Sequence, residues 1–351
     1  MCQVEQISKP APIRQLFMRR SGTIAGGDWM NNSIKAWLMA IVLGMLFPGL
    51  LFSVSEKFIS REERGPQIES TVVATEPVQD SEVVVLMSDG QAQLDMQTYL
   101  TGVLLAEMPV DFSEEALKAQ AVVSRTYALR RNSLGNKHPQ GAVCTESSCC
   151  QAYRAIEDFL SKGGTEEMLK KVSQAVELTD NQVLTYNGAL IEATYFSCSG
   201  GRTEDAVAVW GTEIPYLQSV DSPGEESATH FVDTAEFEAA EFASLLGISS
   251  QGPAVNWLGA MTYTDGGGVD TMVIAGKMFS GTEIRQKLGL RSTVFSMYAT
   301  EDKIHISTRG FGHRVGMSQY GAEAMAVRGN DYQKILSHYY PGTQLTAYTR
   351  N

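Results

Sequence analysis

The sequence predicts an α+β fold: a single extracytoplasmic domain with a substrate cleft, preceded by one transmembrane helix. Three observations predict it. The stretch Ala36–Val54 carries no charged residue and, as a helix, would rise roughly 28 Å, about the hydrocarbon thickness of a bilayer. Ser55 to Ser81 is rich in Glu, Ser, Thr, Pro and Gln with little periodicity, as a tether would be. From Val83 to about Ala347, short apolar runs alternate with segments of helical period, without repeats or low-complexity tracts.

The N-terminal elements come first. Lys9, Arg14, Arg19, Arg20 and Lys35 precede the apolar stretch, and only Lys57, Arg61 and Arg64 lie close after it. This bias places residues 1–35 in the cytoplasm, residues 36–54 in the membrane and the remainder outside. A cleaved signal peptide is the alternative, although its apolar stretch is usually shorter and its basic leader briefer. Ala25-Gly26-Gly27-Asp28 could be encoded by a purine-rich ribosome-binding sequence, which makes Met30 the expected start of translation and removes Cys2. Residues 55–82 read as a linker, and residues 83–347 as the folded domain.

Within the domain, Val83–Met87 is an apolar strand. Met96–Ala106 is a helix that must end before Pro109, because the residue preceding a proline avoids the helical region. Ser113 is a good N-cap, Glu114 and Glu115 suit the positive end of the dipole, and Leu117, Ala121, Ser124 and Ala128 follow at helical spacing. Strands are expected at Gln182–Tyr186 and Leu190–Phe196, and a helix across Ala235–Leu246. Strands at Ala260–Tyr263 and Val269–Ile274, a strand set within Val294–Ile306 and a helix from Gly316 to about Val327 complete the domain.

With 43% hydrophobic residues among 351, the chain can bury a substantial core, so it is not a disordered tail. Its 28 basic and 40 acidic residues give a net charge of −12, which excludes a nucleic-acid groove.

The chemistry-bearing residues gather in a few places. Glu107 sits at a helix exit, where a lone glutamate is ordinarily a surface or capping residue. Lys118 and Arg125 lie two turns apart on one side of the second helix and can point where Glu107 points. Their plain reading is that of solvated charges. His138, Cys144, Cys149 and Cys150 make a four-ligand N/S set in one short polar stretch, which suits tetrahedral zinc. A disulfide among Cys144, Cys149, Cys150 and Cys198 is the competing reading outside the cytoplasm. Tyr195, Ser199, Gly200 and Gly201 follow a strand as a glycine-rich turn, and His313, Gln319 and Tyr320 lie among Gly310, Gly312 and Gly316. Trp210 could stack on a sugar, though a core tryptophan is the simpler reading.

Several motifs then agree in order: Glu107-Met108-Pro109, Glu115 to Ala121, Arg125-Thr126-Tyr127, Ser199-Gly200-Gly201 and Gly312 to Gly321. Together they closely resemble the stage II sporulation protein D family, peptidoglycan lytic transglycosylases of endospore formers. The resemblance implies that Glu107 is a sole acid-base residue, protonating the oxygen between muramic acid and glucosamine while the sugar's C6 hydroxyl closes on C1. It implies that Lys118, Arg125, Tyr195, Ser199, His313, Gln319 and Tyr320 hold the glycan. A cation beside Glu107 would depress its pKa, so burial must offset it or the arginine must face substrate. The resemblance further implies a structural Zn2+ on His138, Cys144, Cys149 and Cys150, with Cys149 where some relatives have His. It implies partners, the stage II sporulation proteins P and M, and a mother-cell membrane facing the forespore septal space. Two alternatives stand beside it: a non-catalytic peptidoglycan-binding modulator of an amidase, and a zinc amidase, for which no His-Glu-x-x-His motif is present.

Overall fold

The computed structural model describes residues 82–348 except 88–89, 135–136, 139–142 and 250–251. The expected start, cytoplasmic segment, membrane helix and all of the linker but Glu82 lie outside the described residues. Among the described residues no helix is long and apolar enough to cross a membrane.

The described residues open with an antiparallel hairpin, β1 (Val83–Met87) and β2 (Gly90–Leu94), in register from Val83↔Leu94 to Met87↔Gly90. The side chain of Asp95 accepts from Thr98 N at 2.8 Å and so starts α1 (Met96–Glu107), which stops just before Met108-Pro109. Next comes α2 (Glu114–Leu134), buried on nearly every side from Ala116 to Leu129, so it is the axis of the domain and not a surface helix. Ser113 precedes it as expected, but its hydroxyl and amide both turn to the carboxylate of Glu323, at 2.9 and 2.7 Å.

β3 (Val143–Cys144) pairs parallel with β1 and completes the sheet β2-β1-β3. α3 (Ile156–Ser161) and α4 (Glu166–Glu177) lead to a hairpin of β4 (Gln182–Tyr186) and β5 (Ala189–Leu190). The run predicted as one strand over Leu190–Phe196 is broken: β5 ends at Leu190, and β6 (Tyr195–Phe196) belongs to another sheet. A short helix, α5 (Ala206–Trp210), follows.

The predicted helix across Ala235–Leu246 is half strand. β7 (Val232–Glu238) alternates exposed and half-buried residues, the period of a sheet face, and only α6 (Ala239–Leu246) is helical. Ala235 and Phe237 face inward while Glu236 and Glu238 meet Lys303 on the neighbouring strand, and that pairing overrides helix propensity. β8 (Leu258–Tyr263), β9 (Val269–Ile274) and β10 (Lys277–Ser280) form one antiparallel sheet capped by α7 (Gly281–Leu288). β11 (Val294–Ala299) and β12 (Lys303–Arg309) pair with β7 in the order β11-β12-β7. Finally β13 (Met317–Ser318) pairs parallel with β6, α8 (Gln319–Val327) and α9 (Tyr332–Tyr339) pack on α2, and β14 (Gln344–Ala347) closes the sheet β14-β4-β5. The last predicted helix therefore begins at Gln319 rather than Gly316, because Ser318 caps it by accepting from Gly321 N.

These elements enclose two apolar cores within one unit. One gathers Val83 to Leu217 with Val315 to Tyr340, around α2. The other, Phe242 to Ile306, is built from the intervening segment. The chain leaves the first core, makes the second, and returns at β13 beside β6. That return brings distant residues to Glu107.

Candidate active site

A cleft of about 900 Å³ is lined by residues from α1, α2, the 147–152 loop, β6, α5 and the 311–313 turn, and by Gln319. Glu107 lies at the C-terminal end of α1, where the helix presents its side chain to the 151–154 segment. Gly102, on α1, lets that segment approach: a Cβ there would stand 2.3 Å from the Tyr153 ring, and Arg154 N donates to Gly102 O at 3.0 Å. The close approach sets Ala152 N to donate to Glu107 Oε1 at 2.6 Å.

Tyr195, on β6, also hydrogen-bonds the Glu107 carboxylate. Its hydroxyl accepts from Gln151 Nε2 at 3.2 Å, while Gln151 Oε1 accepts from Tyr99 OH at 3.1 Å, so the Tyr195 proton is left to point at Glu107. Burial raises the pKa of Glu107; the Ala152 amide and the Tyr195 hydroxyl pull the other way without cancelling it. Gln319 Nε2 donates to the main-chain carbonyl of Glu107 at 3.1 Å and fixes the helix exit from the other side.

His313 lines the same cleft, with its ring 5.7 Å from Phe196 and 5.6 Å from Trp210. Its Nδ1 accepts from Val315 N at 3.1 Å. Burial, with the Arg285 charge adding to it, lowers its pKa to about 4, opposed by a hydrogen bond to the Tyr195 main chain. His313 is thus a neutral ring pinning the strand that carries Tyr195. Its neighbour Arg314 makes that placement possible. At φ +68° its buried guanidinium turns inward and donates to Ser199 O at 2.8 Å, Arg202 O at 2.7 Å and Glu204 Oε2 at 3.3 Å. Gly316 then permits close approach to Thr194, just before β6, since a Cβ there would meet Thr194 O at 2.1 Å.

Four residues expected at the glycan do not line this cleft. Arg125 is 2% exposed and donates to Val176 O, Thr179 O and Gln182 O, where it closes the end of α4. Lys118 pairs with Glu114 and Glu115 at 2.6 and 2.9 Å and does not line the cleft. Helical spacing put both on one side of α2 correctly, but a helix buried all round has partners on that side too. Ser199 is fully buried; its amide and hydroxyl, with Gly200 N, each donate to Glu225 Oε2 at 2.8 Å. Tyr320 packs edge-on against Phe112, with centroids 5.0 Å apart.

Other residues at the cleft escaped the sequence reading. Glu192 lines it, with its two oxygens held by Arg130 and Arg131. Arg131 and Lys137 line it as well, and Gln151 completes the Tyr195 relay. Gln151 directly follows Cys149-Cys150, which was its one available signal. Trp210 is 42% exposed and faces the cleft, so it is not the core residue it resembled.

The metal-ligand candidates do come together. The ligand atoms of His138, Cys144, Cys149 and Cys150 all lie within 4.8 Å of one another. Cys144 is held on β3, while Cys149 and Cys150 are presented by a turn whose amides both donate to Glu146 O. Tetrahedral zinc with Zn–S bonds of about 2.3 Å separates its ligands by roughly 3.8 Å, so three thiols and one imidazole at this spacing fit such an ion. The four described cysteines are free, and Cys198 is buried apart from the cluster with its Sγ toward His230 O. Burial pushes its thiol up to about 12. Cys149 and Cys150 also line the cleft, so the candidate metal loop is one of its walls.

A family model described as Stage II sporulation protein matches residues 89–186. The chain is 38% identical over 327 residues to stage II sporulation protein D of Bacillus subtilis, covering 88% of this chain and 93% of that one. It is 40% identical over 259 residues to stage II sporulation protein D of Bacillus amyloliquefaciens, covering 72% and 74%. It is also 29% identical over 302 residues to the amidase enhancer of Bacillus subtilis, covering 71% of this chain and 40% of that protein.

Proposed function

The chain belongs to the stage II sporulation protein D family, and from that premise we propose that it is a peptidoglycan lytic transglycosylase acting during engulfment. It cuts the bond between N-acetylmuramic acid and N-acetylglucosamine, preferring strands stripped of stem peptides. The observation that carries the reading is the Glu107 carboxyl, raised in pKa by burial yet lining an open cleft. Glu107 gives its proton to the bridging oxygen as the C1–O bond breaks. The C6 hydroxyl of the same muramic residue closes on C1, and its proton passes to the Glu107 carboxylate. The product is a 1,6-anhydro end, the acid is restored, and no water is consumed. Ala152 N–H and Tyr195 O–H stabilise the carboxylate between the two transfers. Glu192, the other carboxylate at the cleft, has both oxygens engaged by arginines, which favours a single-acid mechanism over paired carboxylates.

His138, Cys144, Cys149 and Cys150 would hold a structural Zn2+, with every position filled by protein. The ion would stiffen the loop that walls the cleft. Residues 36–54 anchor the protein, residues 55–82 tether it, and the domain of residues 83–347 works in the space between mother cell and forespore. There the stage II sporulation proteins P and M are its partners.

Mass spectrometry of products from denuded glycan strands tests the reading. Anhydro-ended saccharides are expected, and Glu107→Gln abolishes them; hydrolytic, reducing-end products overturn the mechanism. Similarity to the amidase enhancer favours a second reading, a non-catalytic peptidoglycan-binding modulator of an amidase. In that case wild type and Glu107→Gln stimulate an amidase equally and release no saccharide.

A further inference from the structure

One wall of the cleft is charged opposite to the chain as a whole. The chain carries −12, yet Arg131 and Lys137 both line the cleft beside the 147–150 loop. Glu192 does not neutralise them, because its single carboxylate is already shared between Arg130 and Arg131. Arg131 and Lys137 are the two cations among the described residues that line this wall, with Glu192 and the Cys149-Cys150 thiols beside them. The Arg131 guanidinium is laid over the Tyr127 ring, 4.9 Å from its centroid, and its Nε is buried without a hydrogen-bond partner. Lys137 is exposed on the same wall, and its ammonium donates to Cys149 O. A fixed guanidinium with an ammonium alongside is a receptor for a carboxylate on the ligand.

We propose that Arg131 and Lys137 recognise the free lactyl carboxylate that a muramic residue bears once its stem peptide has been removed. This rests on the glycan-cleaving reading and names the group by which the cleft selects its strand. N-acetylglucosamine is neutral, so the lactyl group is the acid available on a bare strand. An attached peptide converts that group to an uncharged amide and moves the next carboxylate outward along the peptide. The charge lost at the lactyl position is what the two cations sense. Glu192 holds Arg131 in place.

The test uses three muramic-acid oligosaccharides of equal length: the free lactyl acid, its neutral methyl amide and the stem-peptide conjugate. Wild type should favour the free acid over the methyl amide on the order of tenfold in kcat/KM, carried by KM. Arg131→Ala and Lys137→Gln should bring the free acid down toward the amide. The same comparison as a binding titration on Glu107→Gln reads recognition without turnover. Discrimination by Glu107→Gln with no cleavage by wild type would sink the proposed reaction and keep this recognition; cleavage without discrimination would do the reverse. Preference for the peptide conjugate would place the recognised carboxylate on the peptide and overturn the proposal. If the cations serve only the thiolate loop, both variants will lower thermal stability and metal content while the acid-to-amide ratio stays at the wild-type value. That result also overturns it. Lys137→Gln, at an exposed position, keeps the test decisive if Arg131→Ala fails to fold.

Discussion

The side-chain amide of Gln319 donates to the main-chain carbonyl of Glu107 at 3.1 Å, joining residues 212 positions apart. The bond holds the last turn of α1 by its backbone, so the Glu107 carboxyl is aimed by a residue that never touches it. Gln319→Ala should lower kcat/KM about tenfold while costing only about 1 kcal/mol of stability. Unchanged turnover on denuded strands, with denaturation midpoints recorded in parallel, would remove Gln319 from the site.

The pH profile carries a sign. A general acid must hold its proton, and burial raises the Glu107 pKa, so activity is present below that raised value and falls as pH climbs through it. Tyr195→Phe removes a donor to the carboxylate and should push this limb further alkaline, by up to about one unit. A limb displaced toward acid would refute the assigned hydrogen bond.

His313 couples stability to pH in the opposite sense. Its ring titrates near 6.5 ordinarily and at about 4 in the folded protein. Between these values the unfolded chain binds a proton that the folded chain refuses. Stability therefore rises with pH across that window and is lost on acidification, by at most about 3 kcal/mol. His313→Asn should flatten this part of the curve in denaturant titrations at pH 4 and 7.

Metal content is expected at one zinc per chain by elemental analysis of protein prepared without chelator. Cys144→Ser should remove it and lower Tm. Chelation should loosen the 143–150 segment gradually, since four protein ligands would leave no open coordination position for the reaction. Instant loss of turnover without structural change would point to a catalytic ion.

Arg125 and Lys118 separate packing from chemistry. Arg125→Met leaves carbonyls at the end of α4 unsatisfied and should cost about 2–3 kcal/mol, with kcat/KM of the folded protein unchanged. Lys118→Ala breaks a partly exposed pairing and should stay within about 0.5 kcal/mol of wild type. A large fall in kcat/KM for either one would return it to the cleft.

Much of this was legible because some signals are local. The exit of α1 follows from Pro109, and the candidate metal cluster from four residues close together in sequence. The cleft itself was less legible, since its walls meet only after the second core has been built and the chain has returned. Spacing along α2 gave Lys118 and Arg125 a common side but could not say that this side was already occupied. Glu192, Arg131 and Trp210 sit in no motif and become neighbours of Glu107 only in three dimensions. The misread strand at Val232–Glu238 shows the converse: its alternation was present in the residues, and Glu and Ala masked it with helix propensity.

The two-rung parallel ladder between β6 and β13, Tyr195↔Met317 and Phe196↔Ser318, has a temporal meaning. During synthesis α1 and its acid emerge early, but the strand that completes the ladder, and the amide that follows it, arrive about two hundred residues later. Until then the acid lacks Gln319 and the 311–313 side of its cleft. On the proposed reaction, a nascent chain is therefore expected to stay inactive until residues 317–319 have been made.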